Sequence, residues 1–355
     1  MPTTSESATL PAADGSSKNQ LAIASLLLLS PLIGEVLSGA TRMSFIFAFF
    51  PEVMVWGCGA LLIREAVRRW RGGWISVLSL GLALSVAEEF IIQQTSLAPL
   101  NWMGATGNGR IWGVNLFYFL FMLAYESVWI VLVPIQVTEL VFPQRREQPW
   151  LRTRGTVISA LLFVLGAYIA WFLWIKQARP KAFHVPDYNP PLATLVVGIA
   201  AIVALVFAGY WLRMVRAEPS SLKAPGIWRV ALTTVGLVLP WYVLMVLMFI
   251  PKPVPAWPAL IAGLAWAGLA ILVIRRWSSS SGWQDLHRWA LSFGALFTSM
   301  AAGFLGSSLW PLKDVIGKVI LNIIAVIGMI VLARAIRQRP VQVPREIETR
   351  VLGLQ

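Results

Sequence analysis

The sequence places two adjacent glutamates, Glu88 and Glu89, inside an apolar run from Trp74 to Leu97. The run is long enough for a membrane helix, which needs about 20 apolar residues. Two ionised carboxylates side by side in a poorly hydrated site repel one another and lose their hydration, so we expect one of the pair to be protonated near neutral pH. Such a pair suits proton exchange, cation binding or general acid/base chemistry, and the spacing does not choose among them.

Other carboxylates lie in the same part of the chain. Glu35, Glu52, Glu126 and Glu139 fall in or at the ends of the first four apolar runs, whereas the later runs contain no interior Asp or Glu. A carboxylate at the bilayer centre costs about 2.5–3.5 kcal/mol on insertion scales, so such groups usually face a bundle interior or a water-filled cavity. We therefore expect the polar chemistry to be concentrated between residues 21 and 142.

The depth of each acid follows from the rise per helical residue. If the N-terminus is cytoplasmic, Glu35 and Glu88 each lie about 21 Å from the cytoplasmic start of their helices, and Glu52 lies about 14 Å from the outer start of its own. Glu126 comes close to them if its helix enters the membrane near Phe117. The spacing therefore predicts that several helices bring carboxylates together in the outer half of the membrane.

Helical facing selects among these residues, because residues three or four apart share one side of a helix. Glu89 and Gln93 belong to a small and polar side, whereas Glu88 lies on a more apolar one, so Glu89 is the better candidate for an interior site. The same groups could instead serve only to hold helices together, at about 0.6 kcal/mol for each hydrogen bond. The predicted ligand-binding residues are Glu35, Glu52, Glu89, Gln93, Tyr125 and Glu126, and no metal ligand or cofactor is predicted.

Composition indicates that membrane helices carry these residues. The 355 residues are 57% hydrophobic and 13% charged, whereas soluble domains have about 25% charged residues. The net charge is +13, and most of the basic residues lie in short segments between apolar runs. Basic residues in such positions are typical signals of membrane orientation. We therefore expect the lipid bilayer, and not nucleic acid, to be the partner. We predict an all-α, polytopic integral membrane protein with about ten transmembrane helices. The predicted spans are approximately 21–40, 43–63, 74–97, 112–135, 155–175, 192–212, 227–250, 257–274, 289–309 and 315–333.

Orientation follows from the basic residues, because positively charged loops are retained in the cytoplasm. The side that bears both termini holds 21 of the 29 Lys and Arg residues. Both termini are therefore predicted to be cytoplasmic. A cleaved signal peptide is a competing interpretation of residues 21–40, but a positively charged segment before it is nearly absent. The predicted regions are a disordered cytoplasmic tail (1–20), a four-helix acidic region (21–142), a cytoplasmic loop (143–154), a six-helix region (155–334) and a basic cytoplasmic tail (335–355).

Motifs for other chemistries are absent from the sequence. It contains no phosphate-binding glycine loop, no zinc spacing of Cys and His, and no Ser-His-Asp set in the membrane. In the segment 176–191, predicted to be outside, His184 and Asp187 are three residues apart. Two possible ligands in a proline-rich loop make a weak metal or substrate contact, so a solvated loop is the preferred interpretation.

A paired glutamate on one membrane helix, followed on the next by a Phe-x-x-x-His element, resembles the CPBP family of intramembrane proteases, which includes the CAAX prenyl proteases. Glu88 and Glu89 match the glutamates of the EExxxR motif, with Gln93 in place of the arginine. Phe121 matches the second element, with Tyr125 in place of the histidine. The resemblance implies an enzyme in which glutamate and histidine activate the attacking water, so Glu88 and Glu89 would be catalytic.

The chain also resembles bacterial multi-pass proteins that combine a GALLIRE segment (59–65), paired glutamates and a later FP and PW pair (142–143 and 149–150). This resemblance implies a bacterial cytoplasmic membrane protein and supplies no activity. Two hypotheses follow. One is a non-catalytic or transporter-like protein that binds a proton, a cation or an amine-bearing ligand; the other is a divergent CPBP-like protease. The predicted spans contain no histidine, which favours the first.

Overall fold

The computed structural model describes residues 13–99, 108–182, 184–185, 188–215, 220–250, 253–305 and 307–339. The predicted tails at 1–12 and 340–355, and Asp187 of the outer loop, lie outside these residues. Ten long helices run through the described part. They are α1 (Asn19–Val36), α2 (Met43–Arg69), α3 (Trp74–Ile92), α4 (Leu116–Val141), α5 (Thr153–Lys181), α6 (Leu192–Leu212), α7 (Ile227–Leu247), α8 (Ala256–Ser278), α9 (Asp285–Ala302) and α10 (Leu312–Arg337).

The prediction of a helical multi-pass membrane protein is confirmed. Within the described ranges, nine of the ten helices are long and apolar enough to cross a membrane. The exception is α9, whose 18 residues begin with Asp285, His287 and Arg288 and bury several serine and threonine side chains. This helix corresponds to the predicted span 289–309, but it starts earlier and ends at Ala302.

Two further helix starts, those of α1 and α4, differ from the predicted ones. The span α1 is part of a longer helix that begins at Ala13, before the predicted start at Leu21. The fourth helix begins at Leu116, because the residues before it form a small antiparallel hairpin. The strands of this hairpin are β1 (Arg110–Ile111) and β2 (Val114–Asn115); a second, parallel pair joins β3 (Ser220–Lys223) to β4 (Ser280–Ser281).

Helix α4 lies at the centre of the acid-bearing helices, and small residues allow close packing around it. A Cβ atom at Gly34 of α1 would lie 2.1 Å from the Cδ1 atom of Ile130, and one at Gly81 of α3 would lie 3.1 Å from the Cα atom of Ser127. The Ser30 hydroxyl also donates to the Ile130 carbonyl at 2.7 Å. Small residues at such crossings let helix backbones approach closely.

One end of the bundle, which we call the inner end and which is predicted to be cytoplasmic, is joined by a buried ionic network. The Glu139 carboxylate accepts hydrogen bonds from Arg64 at 3.1 Å and from Arg68 at 2.7 Å. The Arg64 guanidinium lies 3.3 Å from the centre of the Trp150 ring, and Glu65 accepts from the Trp150 amide at 2.8 Å. This network explains the GALLIRE segment and the PW pair as structural elements that fasten the inner loop to α2.

Candidate functional site

Five glutamates from four helices approach one another toward the opposite, outer end of the bundle. Glu126 interacts electrostatically with Glu88, Glu89 and Glu35, and Glu35 in turn interacts with Glu52. We call these five residues the acidic cluster. Four of the predicted ligand-binding residues therefore belong to it, together with Glu88, whereas Glu139 lies at the inner end with its arginines.

Each acid-bearing helix departs from regular α-helical geometry at its glutamate. Segments of π-helix cover Leu32–Val36, Glu88–Ile92 and Glu126–Leu132, and a fourth, Val53–Gly57, begins directly after Glu52. A π-helix has i to i+5 hydrogen bonds, and short segments of it are frequent at functional sites. The wider turn of the π-helix rotates the following residues around the helix axis. A rule based on 3.6 residues per turn therefore no longer predicts on which side of the helix they lie.

Both side chains of the glutamate pair are buried, so burial does not distinguish Glu89 from Glu88 as the interior residue. Glu88 is 2% exposed and Glu89 is 1% exposed. Glu89 accepts two hydrogen bonds from Ser96, one from the backbone amide at 2.8 Å and one from the hydroxyl at 2.6 Å. Its partner is thus Ser96 rather than Gln93. The Gln93 side chain is half-buried, and the Gln93 carbonyl accepts from Arg179 at 2.5 Å.

Glu88 and Glu126 differ from Glu89 in their hydrogen bonding. Both carboxylate oxygens of each residue are buried and have no hydrogen-bond partner among the described residues. Glu126 is 1% exposed. Ser85, which lies close to it, donates its hydroxyl to the Met122 carbonyl at 3.0 Å. These two side chains are therefore the acids of the cluster whose oxygens accept no hydrogen bond from the described residues, and the Ser85 hydroxyl is a donor close to Glu126.

The other members of the cluster have partial partners. One carboxylate oxygen of Glu52 accepts a hydrogen bond from the Thr41 hydroxyl, and the other has no partner in the described residues. Glu35 lies beside Trp56. These two acids are half-buried, whereas Glu88 and Glu126 are enclosed.

Two tyrosines of α4 lie against the carboxylates. The Tyr125 hydroxyl donates to the Gly34 carbonyl, which ties α4 to α1 beside Glu35. Its ring is 5.4 Å from the ring of Trp129, in an aromatic group that continues to α7. Tyr118 interacts electrostatically with Glu35, Glu88, Glu89 and Glu126. Tyr118 was not among the predicted site residues; its position two helical turns before Glu126, on the same side of the helix, was the available signal.

An arginine of the hairpin joins it to the segment that follows α3. Arg110 donates to the carbonyls of Leu97 at 3.0 Å, Ala98 at 2.8 Å and Gly113 at 2.7 Å. Burial lowers the pKa of the Arg110 guanidinium, and the nearby Tyr188 acts in the opposite direction. These bonds hold residues 97 and 98, directly after Ser96, against the hairpin.

Neither histidine lies in the cluster. His287 is at the start of α9, where its ring nitrogens lie 3.1 Å from the Gln284 amide nitrogen and 3.0 Å from the Pro225 carbonyl oxygen. His184 is exposed in the outer loop. In the part of the chain that the structure describes, no group of three His, Cys, Asp or Glu side chains is placed to hold a metal ion.

Comparison with known proteins places the chain in a family and shows no resemblance to the CPBP proteases. No curated protein and no solved structure matches it. A family model matches residues 25–341, which include most of α1, the other nine helices in full and every residue of the acidic cluster. The chain therefore belongs to the family described as an uncharacterized membrane protein family.

Proposed function

We propose that the acidic cluster binds protons, that Glu88 and Glu126 hold them, and that the protein is non-catalytic or transporter-like. The observation that carries this proposal is the absence of hydrogen-bond partners for all four carboxylate oxygens of these two residues within the described part of the chain. Both side chains are almost completely buried.

The need for a proton follows from the cost of burying charge. An ionised carboxylate in an apolar interior needs a cation or several donors, or else it becomes neutral. The salt bridges formed by the described residues use Glu65, Glu139, Glu147 and Asp285, all at the inner end, and no member of the acidic cluster takes part in one. Neighbouring carboxylates then reduce their repulsion by sharing a proton.

Enclosure favours a proton over a larger ligand. The carboxylate oxygens of Glu88 and Glu126 are shielded from solvent, so an amine-bearing ligand would require the helices around them to separate. A small cation is the second candidate, because the outer acids Glu35 and Glu52 are only half-buried. Proton-coupled membrane proteins use intramembrane carboxylates as relays.

Hydrolysis by the CPBP mechanism receives no support from the site. General base catalysis needs a group within hydrogen-bond reach of a water, with a second group to steady the developing charge. Tyr125, at the position matched to the family's histidine, is engaged with the Gly34 carbonyl. The histidines lie elsewhere, so Glu88 and Glu89 would have to carry the whole reaction. Cleavage of a transmembrane or prenylated peptide, lost in Glu88→Ala, would establish the enzyme instead.

The test is the pH dependence of thermal unfolding of the purified protein in detergent. If the folded state holds a proton that the unfolded chain releases near neutral pH, the free energy of unfolding falls as pH rises, by about 1.4 kcal/mol per pH unit for each extra proton. We expect the unfolding temperature of the wild-type protein to decrease as the pH is raised from about 5 to about 8. This dependence on pH should be weaker in the double variant Glu88→Gln, Glu126→Gln.

The control is Glu147→Gln, which makes the same chemical change at one carboxyl group whose side chain is 78% exposed. This variant should retain the slope of the wild-type protein. An unchanged slope in the double variant would contradict the proton proposal. A midpoint that depends on the choice of sodium, potassium or an organic ammonium ion at fixed pH would favour the cation or amine alternative.

A further inference from the structure

A cavity of about 560 Å³ opens at the inner end of the bundle. It lies among α3, α4, α6, α7, α8 and α9, and none of the five residues of the acidic cluster lines it. Its volume is within the range of about 300–1,000 Å³ that is usual for small-molecule sites. The cavity is therefore a separate feature from the proton site.

Arginines surround the mouth of this cavity. The two carboxylates that line it are Glu139, which is already paired with Arg64 and Arg68, and the exposed Glu147. Arg146 is paired with Asp285 at 2.8 Å. The arginine rim, as we call it, consists of Arg68, Arg71, Arg146, Arg213, Arg275 and Arg288.

Four guanidinium groups of the arginine rim have no ion-pair partner among the described residues: those of Arg71, Arg213, Arg275 and Arg288. All except Arg71 are half-buried. The Arg213 guanidinium lies 3.6 Å from the centre of the Tyr210 ring, which holds it in place but does not neutralise it. The positive-inside rule accounts for basic residues at this end of the helices; it does not account for their convergence on one cavity.

Beyond the arginine rim the walls become apolar. Val128 and Leu132 of α4 face Leu237 and Trp241 of α7 across the cavity lining. Gln136 is also among the residues that line the cavity. The cavity thus combines apolar walls with a strongly basic mouth.

Lipid-facing helices contribute to the lining of this cavity. Helix α6 packs on α3, whereas α8 packs on α7 and α4. Residues of both α6 and α8 line the cavity, and both helices expose apolar side chains, among them Val206 of α6 and Leu272 of α8. We therefore expect an acyl chain from the surrounding bilayer to enter between these two helices.

We propose that this cavity binds an anionic lipid with a phosphate-containing headgroup. The phosphate lies at the arginine rim, where Arg213, Arg275 and Arg288 donate to its oxygens, and an acyl chain fills the apolar interior toward Trp241. Guanidinium groups bind phosphate through paired hydrogen bonds. Basic pockets between membrane helices on the cytoplasmic side are known sites for phospholipid headgroups. This proposal does not depend on the proton site.

The source of the phosphate is tested directly with purified full-length protein in a neutral detergent. We compare thermal stabilisation by phosphatidylglycerol, by phosphatidylcholine and by inorganic phosphate. Phosphatidylglycerol should raise the unfolding midpoint, and the other two should have little effect at equal concentration. Equal effects of the two lipids would remove the role of headgroup charge, and an equal effect of inorganic phosphate would indicate a free-anion site; either result overturns the proposal.

Variants locate the site. Arg213→Gln with Arg275→Gln should weaken phosphatidylglycerol binding at least about tenfold. The control pair, Arg154→Gln with Arg276→Gln, removes the same charge from exposed arginines outside the cavity, and it should bind as the wild-type protein does. Equal losses in both pairs would show that general surface charge explains the binding.

A second measurement covers the case in which the cavity variant fails to fold. Phosphatidylglycerol with a photoreactive group near the end of an acyl chain is cross-linked to the wild-type protein, and the labelled peptides are mapped by mass spectrometry. We expect labels on cavity-lining residues such as Leu132, Leu237 and Trp241. Labels confined to the lipid-facing sides of α6 and α8 would overturn the proposal.

Discussion

Glu89 accepts two hydrogen bonds from Ser96, at 2.8 Å from its amide and 2.6 Å from its hydroxyl, whereas the neighbouring Glu88 has no partner among the described residues. The two members of the pair therefore have different roles. Glu89 fastens the outer end of α3 to the loop that follows it. The Glu88 carboxylate interacts electrostatically with Glu126, and the proposed proton site rests on this difference between the two glutamates.

The first prediction follows from this difference. Glu89→Leu leaves the Ser96 amide and hydroxyl without an acceptor, and losing hydrogen bonds to a charged group costs about 1.5–3 kcal/mol. Glu88→Leu removes two unpaired buried oxygens and should be neutral or stabilising. Thermal unfolding in detergent measures both. Equal destabilisation by the two variants would show that Glu88 has a partner of similar strength.

The second prediction concerns the contact between α1 and α4. Gly34→Ala should destabilise the protein by about 1–3 kcal/mol, as expected for overpacking, because the new methyl group would overlap the side chain of Ile130. Gly328→Ala in α10 is the control, since no heavy atom lies within 4 Å of the methyl group it introduces. If both variants unfold at the same midpoint, the close approach of α1 and α4 is incorrect.

The third prediction concerns the ionic network at the inner end. Glu139→Gln should cost up to about 3–5 kcal/mol, because it removes the carboxylate that buried Arg64 and Arg68 share and leaves Arg64 with Glu65 alone. Glu147→Gln removes a carboxylate that is 3.8 Å from Arg68 and mostly exposed, so it should change stability by about 0–1 kcal/mol. Comparison of the two unfolding midpoints provides the measurement. A mild effect of Glu139→Gln would indicate that water reaches this network.

The fourth prediction is the membrane orientation. Reporter domains fused after Gln355 and inserted in the loop from Arg145 to Arg154 should be found in the cytoplasm, because these segments carry the excess of basic residues. A reporter in the loop from Lys176 to Pro191 should be found on the other side. A C-terminus outside the cytoplasm would contradict an even number of spans. It would indicate that nine helices cross the membrane and that α9 does not.

Much of the architecture follows from the sequence because membrane helices obey two simple constraints. Apolar length predicted the helices, and the rise per residue predicted that Glu35, Glu52, Glu88 and Glu126 would lie at similar depths. The structure brings these acids together. The helix of Glu126 begins at Leu116, close to the start near Phe117 that this arrangement required.

The details of the acidic cluster could not be predicted, because they depend on local departures from regular helix. The π-helical segment Glu88–Ile92 changes the facing of both glutamates, so a rule based on regular spacing selected Glu89 alone. The chain turns after α3, and this turn allows Ser96 to donate hydrogen bonds to Glu89. The turn contains Gln94, which has a positive φ angle. No simple sequence rule assigns that conformation to glutamine.

The cavity at the inner end shows a similar limit. The sequence indicated its arginines as signals of membrane orientation, and each is explained by that rule when taken alone. Their convergence depends on how α6, α7, α8 and α9 pack around α4. Contacts between segments this distant in the chain are not encoded in the hydrophobic pattern of any one helix.

The most direct test of the central claim is infrared spectroscopy of the carboxyl groups, because a protonated carboxyl absorbs separately from an ionised one. We predict that the wild-type protein at neutral pH shows a protonated carboxyl band, that Glu147→Gln retains it, and that Glu88→Gln with Glu126→Gln greatly reduces it. If the wild-type protein lacks this band at neutral pH, or if the band survives in the double variant, Glu88 and Glu126 are not the residues that hold the proton.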